Sequence, residues 1–326
     1  MNNTNNPNDK YLSLAEKLEE EGDFLTAERN FLMAIIKNSE LIEATESSNP
    51  NKILYINDES NYRAKLGAFY LRYQSYEKAE TFLLGAANIK EKLLDINDSP
   101  IIKRELALIY SDLGDLYDYQ ERLEDSIKYY MLASSIFDKL IDMFNKVDDK
   151  DELSSIYISL AMINKKLSNI SIAENNFLKA INLKEELVNQ CEKDDYKNRL
   201  ACTYIGIANF YMSNNKMENS ERYLFKTLDI LNKIDNIYEN YEYGHALATC
   251  YLNFANLYAD LDLVDKYLNN ALEVKTILIK RFNFKKDVLD IIDIYDLLAT
   301  NSKLNGKSIK SLSYRKKANK FRKMIS

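Results

Sequence analysis

The sequence predicts an all-helical fold, built from long antiparallel helix pairs stacked side by side. Three observations carry that prediction. First, breakers are scarce: 326 residues contain 7 Gly and 3 Pro, where average usage of about 7% and about 5% would supply roughly 23 and roughly 16. So few turn formers exclude a sandwich or barrel of many short strands, and they argue against the glycine-rich phosphate loops of a doubly wound α/β fold. Second, 46% apolar and 29% charged residues are spread along the whole length, which suits a large core and fits neither disorder nor a membrane-spanning chain. Third, the chain repeats itself.

The string Ala-Asn-Phe-Tyr at 208–211 returns as Ala-Asn-Leu-Tyr at 255–258, and Leu-Gly-Asp-Leu-Tyr stands at 113–117. The three tyrosines are 94 and 47 residues apart. Laid out at that period, a small residue marks each of seven rows: Ala15, Gly67, Gly114, Ala161, Ala208, Ala255 and Ala299, at spacings of 52, 47, 47, 47, 47 and 44. A second small residue follows nineteen positions later in six rows, at Ala34, Ala86, Ala133, Ala180, Thr227 and Ala318. In the sixth row its equivalent, Ala271, follows after sixteen, so that turn is three residues shorter.

Each row then reads as two helices. Row one has Tyr11, Leu14, Ala15 and Leu18, a turn at Glu21-Gly22-Asp23, and then Ala27, Phe31 and Ala34. Row two has Leu66, Gly67 and Tyr70, with Arg63 where other rows carry tyrosine, followed by Ala79, Leu83 and Ala86. Row three has Tyr110, Leu113, Gly114 and Tyr117, followed by Ser126, Tyr130 and Ala133. Row four has Tyr157, Leu160 and Ala161, followed by Ala173, Phe177 and Ala180. Row five has Tyr204, Ile207, Ala208 and Tyr211, a turn at Asn214-Asn215-Lys216, and then Ser220, Leu224 and Thr227. Rows six and seven repeat the pattern with Tyr251, Phe254, Ala255, Tyr258 and Ala271, and with Tyr295, Leu298, Ala299 and Ala318. Intervals of three and four put each set on one helix face. Antiparallel helices approach closely where one or both present Gly, Ala or Ser, and the large neighbours fill the space between pairs. No pair buries its apolar face alone, so the rows must stack.

These columns resemble the tetratricopeptide repeat family, in which an aromatic, a Leu, a small residue and a Tyr mark the first helix, and Ala, an aromatic or Leu, and Ala mark the second. The match covers seven rows and essentially all of residues 11–321. The resemblance implies a right-handed superhelical solenoid of antiparallel helix pairs, whose first helices line a concave groove and whose work is protein binding, as a scaffold or adaptor and not as an enzyme. The usual family repeat is 34 residues and its frequent closing proline is missing here, so about thirteen extra residues per row are expected to lengthen both helices by about two turns, roughly 10 Å. The expected organisation is a disordered Asn-rich tail over 1–10 and a solenoid over 11–326, with rows near 11–50, 60–97, 101–147, 151–193, 196–236, 244–282 and 288–326. Polar joins at 57–60, 97–100, 148–152 and 194–195 are expected to cap the helices that follow.

Little in the chain suggests a reaction. Cys191, Cys202 and Cys250 stand far apart without metal or disulfide spacing. The single histidine, His245, follows Gly244 at the entry to row six and is expected to be an ordinary surface or helix-start residue. Phosphate-loop and zinc-protease motifs are lacking, and no catalytic residue, cofactor or metal is expected. The start of the sequence lacks the basic and apolar segments of a signal peptide, and the expected setting is cytoplasmic.

Binding is the better prospect. One residue after the small column stand Glu16, Ala68, Asp115, Met162, Asn209, Asn256 and Thr300. Ile158, Ile205 and Leu252 precede the last-named Met and Asn residues by four, and Lys165, Met212 and Ala259 follow them by three, which keeps each set on one face. By the resemblance, Asp115, Ile158, Met162, Lys165, Ile205, Asn209, Met212, Leu252 and Asn256 form a candidate partner-binding groove, although Ile158, Ile205 and Leu252 would serve equally as packing. The family's carboxylate-clamping subset carries Lys and Arg there. Ser111, Asp115, Ile205 and Asn209 suit an apolar or basic ligand instead.

Charge is uneven. Net charge is −6, yet residues 303–326 hold nine basic and no acidic side chains, leaving 35 basic against 50 acidic in residues 1–302. Lys310, Arg315, Lys316, Lys317, Lys320, Arg322 and Lys323 are either a polar cap closing the stack or a basic patch for nucleic acid, an anionic membrane or an acidic partner, including another copy of the chain. An alternative role is a regulator that responds to a bound peptide.

Overall fold

The computed structural model describes residues 6–325, and among them are fourteen α-helices, one short 3₁₀ turn (Ile237–Glu239) and no strand. The chain divides into two compact units at Ser168. The first holds α1 (Asp9–Glu20), α2 (Phe24–Ala44), α3 (Asn51–Arg72), α4 (Tyr76–Ile96), α5 (Pro100–Tyr119), α6 (Leu123–Phe144) and α7 (Val147–Lys166). The second holds α8 (Ile170–Cys191), α9 (Asp194–Ser213), α10 (Met217–Leu231), α11 (Tyr241–Leu257), α12 (Leu261–Phe282), α13 (Lys285–Leu304) and α14 (Ser308–Ile325). Within each unit, hairpin partners such as α3 with α4 or α9 with α10 pack most extensively, and the second helix of a pair then packs on the first helix of the next. Each unit is therefore a helical solenoid of antiparallel pairs. Among the described residues no helix is long and apolar enough to cross a membrane.

The small columns are where the helices touch. Ala15, Ala34, Ala86, Ala133, Ala161, Ala180, Ala208, Ala271 and Ala318 are fully buried. A Cβ added at Gly67 would stand 2.7 Å from the Leu83 side chain, and one at Gly114 would stand 2.7 Å from the Tyr130 ring, closer than side chains pack. Most helices run 20 to 22 residues, so the long period is spent on helix length. Scarcity of glycine reaches even the hairpin turns. Gly22 and Gly306 take positive φ in the first and last hairpins, whereas Gln74, Glu121 and Asn215 hold φ of 58–60° in the equivalent turns, a conformation that costs a side-chain-bearing residue about 1 kcal/mol.

A second contact recurs between rows. The Tyr70 hydroxyl donates to Glu28 at 2.6 Å, Tyr117 to Glu80 at 2.8 Å, Tyr211 to Glu174 at 2.9 Å, and Tyr258 to Glu221. Each joins the first helix of one row to the second helix of the row before. At the α6/α7 junction the corresponding residues are Ile127 and Asn164, and at α12/α13 Asp265 accepts from Asn301 at 2.6 Å.

Three expectations change. Residues 1–5 of the expected tail lie outside the described residues, but Asn6 is buried and its amide donates to Asn38 and Asp58, both at 2.8 Å. The stretch 57–60 is no cap. It lies inside α3, where Glu59 and Ser60 are buried and the Ser60 hydroxyl donates to the Ala86 carbonyl at 2.8 Å. His245 is likewise no helix-start surface residue: it sits half-buried within α11, against Lys275.

Candidate functional site

In the first unit, α1, α3, α5 and α7 wall a trough of about 650 Å³. Leu12 and Glu16 come from α1, Ala64, Lys65, Ala68 and Arg72 from α3, Leu108 and Asp112 from α5, and Glu152 from α7. A smaller hollow of about 350 Å³ shares Ala68, Arg72 and Asp112 with it and adds Asp115 and Tyr119. Helical spacing explains the set, since residues three and four apart share a face.

Most charges in the trough are matched. Lys65 lies 3.1 Å from Glu16, and the Arg72 guanidinium grips both oxygens of Glu19 at 2.8 Å. Asp115 accepts from the Tyr130 hydroxyl. Asp112 has neither a hydrogen bond nor an ion pair among the described residues. Burial, with Asp115 and Glu152 nearby, pushes its carboxyl up to about 7. Sequence reading missed Asp112 because it stands two before the small column, where other rows carry Ser13, Lys65, Ser159, Gly206, Asn253 and Leu297 and show no pattern.

The residues singled out from sequence divide between the units. In the first, Asp115, Ile158 and Lys165 are half-buried and Met162 is 43% exposed. In the second, Asn209 and Asn256 are exposed, and Met212 and Leu252 are half-buried. Ile205 is buried at 8% exposure; its side chain belongs to the core of the second unit and is not offered to a ligand.

A different kind of site surrounds His245. Lys275, only 1% exposed, donates to Asp287 at 2.8 Å and contacts Asp290 at 2.5 Å, with its ammonium 2.9 Å from His245 Nδ1. Tyr241 donates to Asp287 at 3.1 Å and stacks on the imidazole. Burial, with Lys275 and Lys286 nearby, lowers the His245 pKa. Donor atoms of His245, Asp287 and Asp290 lie within 4.8 Å of one another, a spacing that would suit a divalent ion, but the lysine ammonium already stands among them as the cation. Lys90 repeats the arrangement in the first unit, fully buried and bonded to Asn57 and Asn61 at 2.7 Å and to Glu105 at 2.5 Å. Arg104 and buried Asp149 form a further pair at 2.5 and 2.7 Å. The sequence does carry a signal for these groups. Four after the second small column stand Asn38, Lys90, Phe137, Lys184, Leu231, Lys275 and Arg322, where a lysine recurs within an otherwise buried position.

The basic residues of α14 are partly spoken for. Lys310 pairs with Asp265 at 2.9 Å, Arg322 pairs with Asp296, and Lys317 lies over the Tyr295 and Tyr314 rings. Arg315, Lys316, Lys320 and Lys323 are exposed. Arg315 occupies the column filled by Phe31, Leu83, Tyr130, Phe177, Leu224 and Leu268 in the other rows, a column that meets the following row in Phe31–Phe69 and Phe177–Phe210 contacts. Here the position is polar and exposed. Cys250 is buried and its thiol is pushed up to about 12 by burial, which makes it a poor nucleophile.

No family model and no curated protein matches the sequence. Solved structures do match in shape. The apo form of RapI aligns over 98% of both chains with a TM-score of 0.56 at 11% identity. The tetratricopeptide repeat sensor protein PH0952 of Pyrococcus horikoshii, a signal transduction ATPase with numerous domains, aligns over 95% of this chain and 43% of its own with a TM-score of 0.60 at 15% identity. The S. pombe nuclear import adaptor Nro1 aligns over 88% of this chain and 97% of its own, with a TM-score of 0.54 at 16% identity. With the repeated small columns and the helix-pair packing, these likenesses show that the chain has the tetratricopeptide-type fold, a helical solenoid of stacked antiparallel pairs.

Proposed function

We propose that this chain is a non-enzymatic protein-interaction module, a scaffold or adaptor that holds a peptide or an extended segment of a partner protein on the faces of its first helices. One observation carries the reading: the first-helix faces of the first unit enclose an open trough whose Asp112 takes no part in the fold's own pairing. Exposed Asn209 and Asn256 in the second unit support it, since an amide both donates to and accepts from a peptide backbone. Proteins of this fold described as adaptors, such as Nro1, are in keeping with it. Two of the α14 cations, Lys310 and Arg322, are engaged within the fold by Asp265 and Asp296.

The test compares faces. Affinity purification from the native cell, quantified by mass spectrometry, should show partners lost from Ala68→Tyr, which fills the trough, and weakened by Asn209→Ala with Asn256→Ala. Ile172→Asp, on an exposed second-helix position, should retain them. Partners retained by both first-helix variants, or lost from Ile172→Asp alone, would overturn the proposal.

A further inference from the structure

We propose that the trough of the first unit recognises a cationic side chain, the guanidinium of an arginine or the ammonium of a lysine within an otherwise apolar peptide segment, and that Asp112 is its counter-ion. This rests on the groove-binding reading above and names the chemistry of the ligand.

Charge complementarity carries the inference. The two cations on the trough wall are already engaged, Lys65 with Glu16 and Arg72 with Glu19, and Asp115 is held by Tyr130. Asp112 is left as a half-buried carboxylate without a hydrogen bond or ion pair, with part of its hydration lost and nothing in its place. The buried acids among the described residues each have a cation, as Asp149 has Arg104 and Asp287 has Lys275, and half-buried Asp115 has the Tyr130 hydroxyl. An incoming guanidinium or ammonium would make the charge-assisted hydrogen bonds that Asp112 lacks. Shape agrees with charge. Ala64 and Ala68 add little bulk to the lining that Asp112 shares, and Leu12 and Leu108 offer apolar wall for the aliphatic stem of Arg or Lys. An anionic ligand would meet Glu16, Asp112, Asp115 and Glu152 together.

Proton and cation compete for one carboxylate. The charged groups lining the trough and hollow with it are Glu16 from α1, Lys65 and Arg72 from α3, Glu105, paired with Lys90, and Asp115 from its own helix, and Glu152 from α7. With a pKa of about 7, Asp112 goes from about nine-tenths ionised at pH 8 to about one-tenth at pH 6, so the affinity of a cationic peptide should fall about tenfold over that interval.

The probe is a phage-displayed library of random dodecapeptides, selected at pH 8 on the intact immobilised chain and on its Asp112→Asn and Asp112→Lys variants, with circular dichroism melts as folding controls. The wild-type chain should enrich a consensus with Arg or Lys at one fixed position among apolar neighbours. The synthetic consensus peptide should bind Asp112→Asn at least tenfold more weakly, lose about tenfold on the wild type between pH 8 and pH 6, and be displaced by Asp or Glu at the fixed position in selections on Asp112→Lys. A consensus without a fixed cation overturns the inference, and so does a cationic consensus whose affinity neither Asp112→Asn nor pH alters, while the groove reading survives both. If the wild type enriches no consensus, or if Ala68→Tyr binds the consensus peptide undiminished, the groove reading itself fails. Should a variant not fold, the pH profile of the wild type decides alone.

Discussion

Two carboxylates, one fully buried and one half-buried, are treated in opposite ways. Asp287 in the second unit is fully buried and receives the Lys275 ammonium at 2.8 Å and the Tyr241 hydroxyl at 3.1 Å. Asp112 in the first unit borders an open trough and receives nothing. The first arrangement pairs the acid with a cation between helices α11, α12 and α13, through one of its two carboxylate oxygens. The second leaves a charge outstanding on the surface where a ligand would lie. A paired buried acid thus reads as architecture, and an unpaired one beside a trough reads as recognition.

The largest test of that contrast is Lys275→Met. Removing one partner of a buried ion pair leaves the other uncompensated, at a cost of about 3–5 kcal/mol, and urea unfolding should show it. Lys275→Met combined with Asp287→Leu should recover much of the loss. A single variant as stable as the wild type would remove Asp287 from the structural side of the comparison.

Asp112→Asn should act in the opposite direction, stabilising the chain by about 1 kcal/mol at pH 8, the usual scale when a site residue is relieved of its functional compromise. Its sign with pH is fixed by the raised pKa. The folded chain holds this proton more tightly than the unfolded chain, so the wild type should gain stability from this group as pH falls from 8 toward 5, and the advantage of the variant should shrink accordingly. His245 has the opposite sign: its pKa is lowered by burial and by Lys275, so its contribution is complete above the unfolded value near 6.5 and declines as pH falls below it. Thermal melts of Asp112→Asn and His245→Gln across pH 5–8 should therefore change slope in opposite directions.

Smaller effects sharpen the picture. Tyr211→Phe removes one inter-row hydrogen bond to a partly exposed Glu174 and should cost about 0.5–1.5 kcal/mol in denaturant unfolding. Arg315→Ala, in a column that is otherwise core, should change stability by no more than about 0.5 kcal/mol because the side chain is exposed to water. A large loss there would show that Arg315 packs against something.

The fold was legible because its determinants are short-range and periodic. Ala15, Gly67 and Gly114 announce close helix contact by their size alone, and Tyr117, Tyr211 and Tyr258 repeat at the row length. The buried polar groups were not legible in the same way. Glu59, Ser60 and Asp149 look like loop or cap residues when hydropathy is read along one helix, yet each is buried because its partner arrives from another helix, Asn38 and Ser39 for Glu59, Ala86 for Ser60 and Arg104 for Asp149. Asp112 was harder still: it repeats nowhere, and only the trough around it and the lack of a partner mark it out. Among the residues that sequence did single out, Asn209, Asn256 and Met162 are exposed, whereas Ile205 went into the core because apolar side chains on one helix face serve packing and binding equally.

The tyrosine–glutamate contacts also bear on how the chain finds its order. An array of near-identical rows risks stacking with one row skipped, since a first helix presents much the same apolar face to any second helix. Four junctions share the same hydroxyl-to-carboxylate link, whereas α6/α7 and α12/α13 use Ile127 with Asn164 and Asp265 with Asn301. If α4 were to dock on α7, Glu80 would lose its tyrosine and face an amide, and if α10 were to dock on α13, Glu221 would meet Ser302. The two odd junctions therefore act as addresses within the chain, penalising wrong neighbours at fixed places and leaving the uniform stretches between them as the places where misassembly would begin.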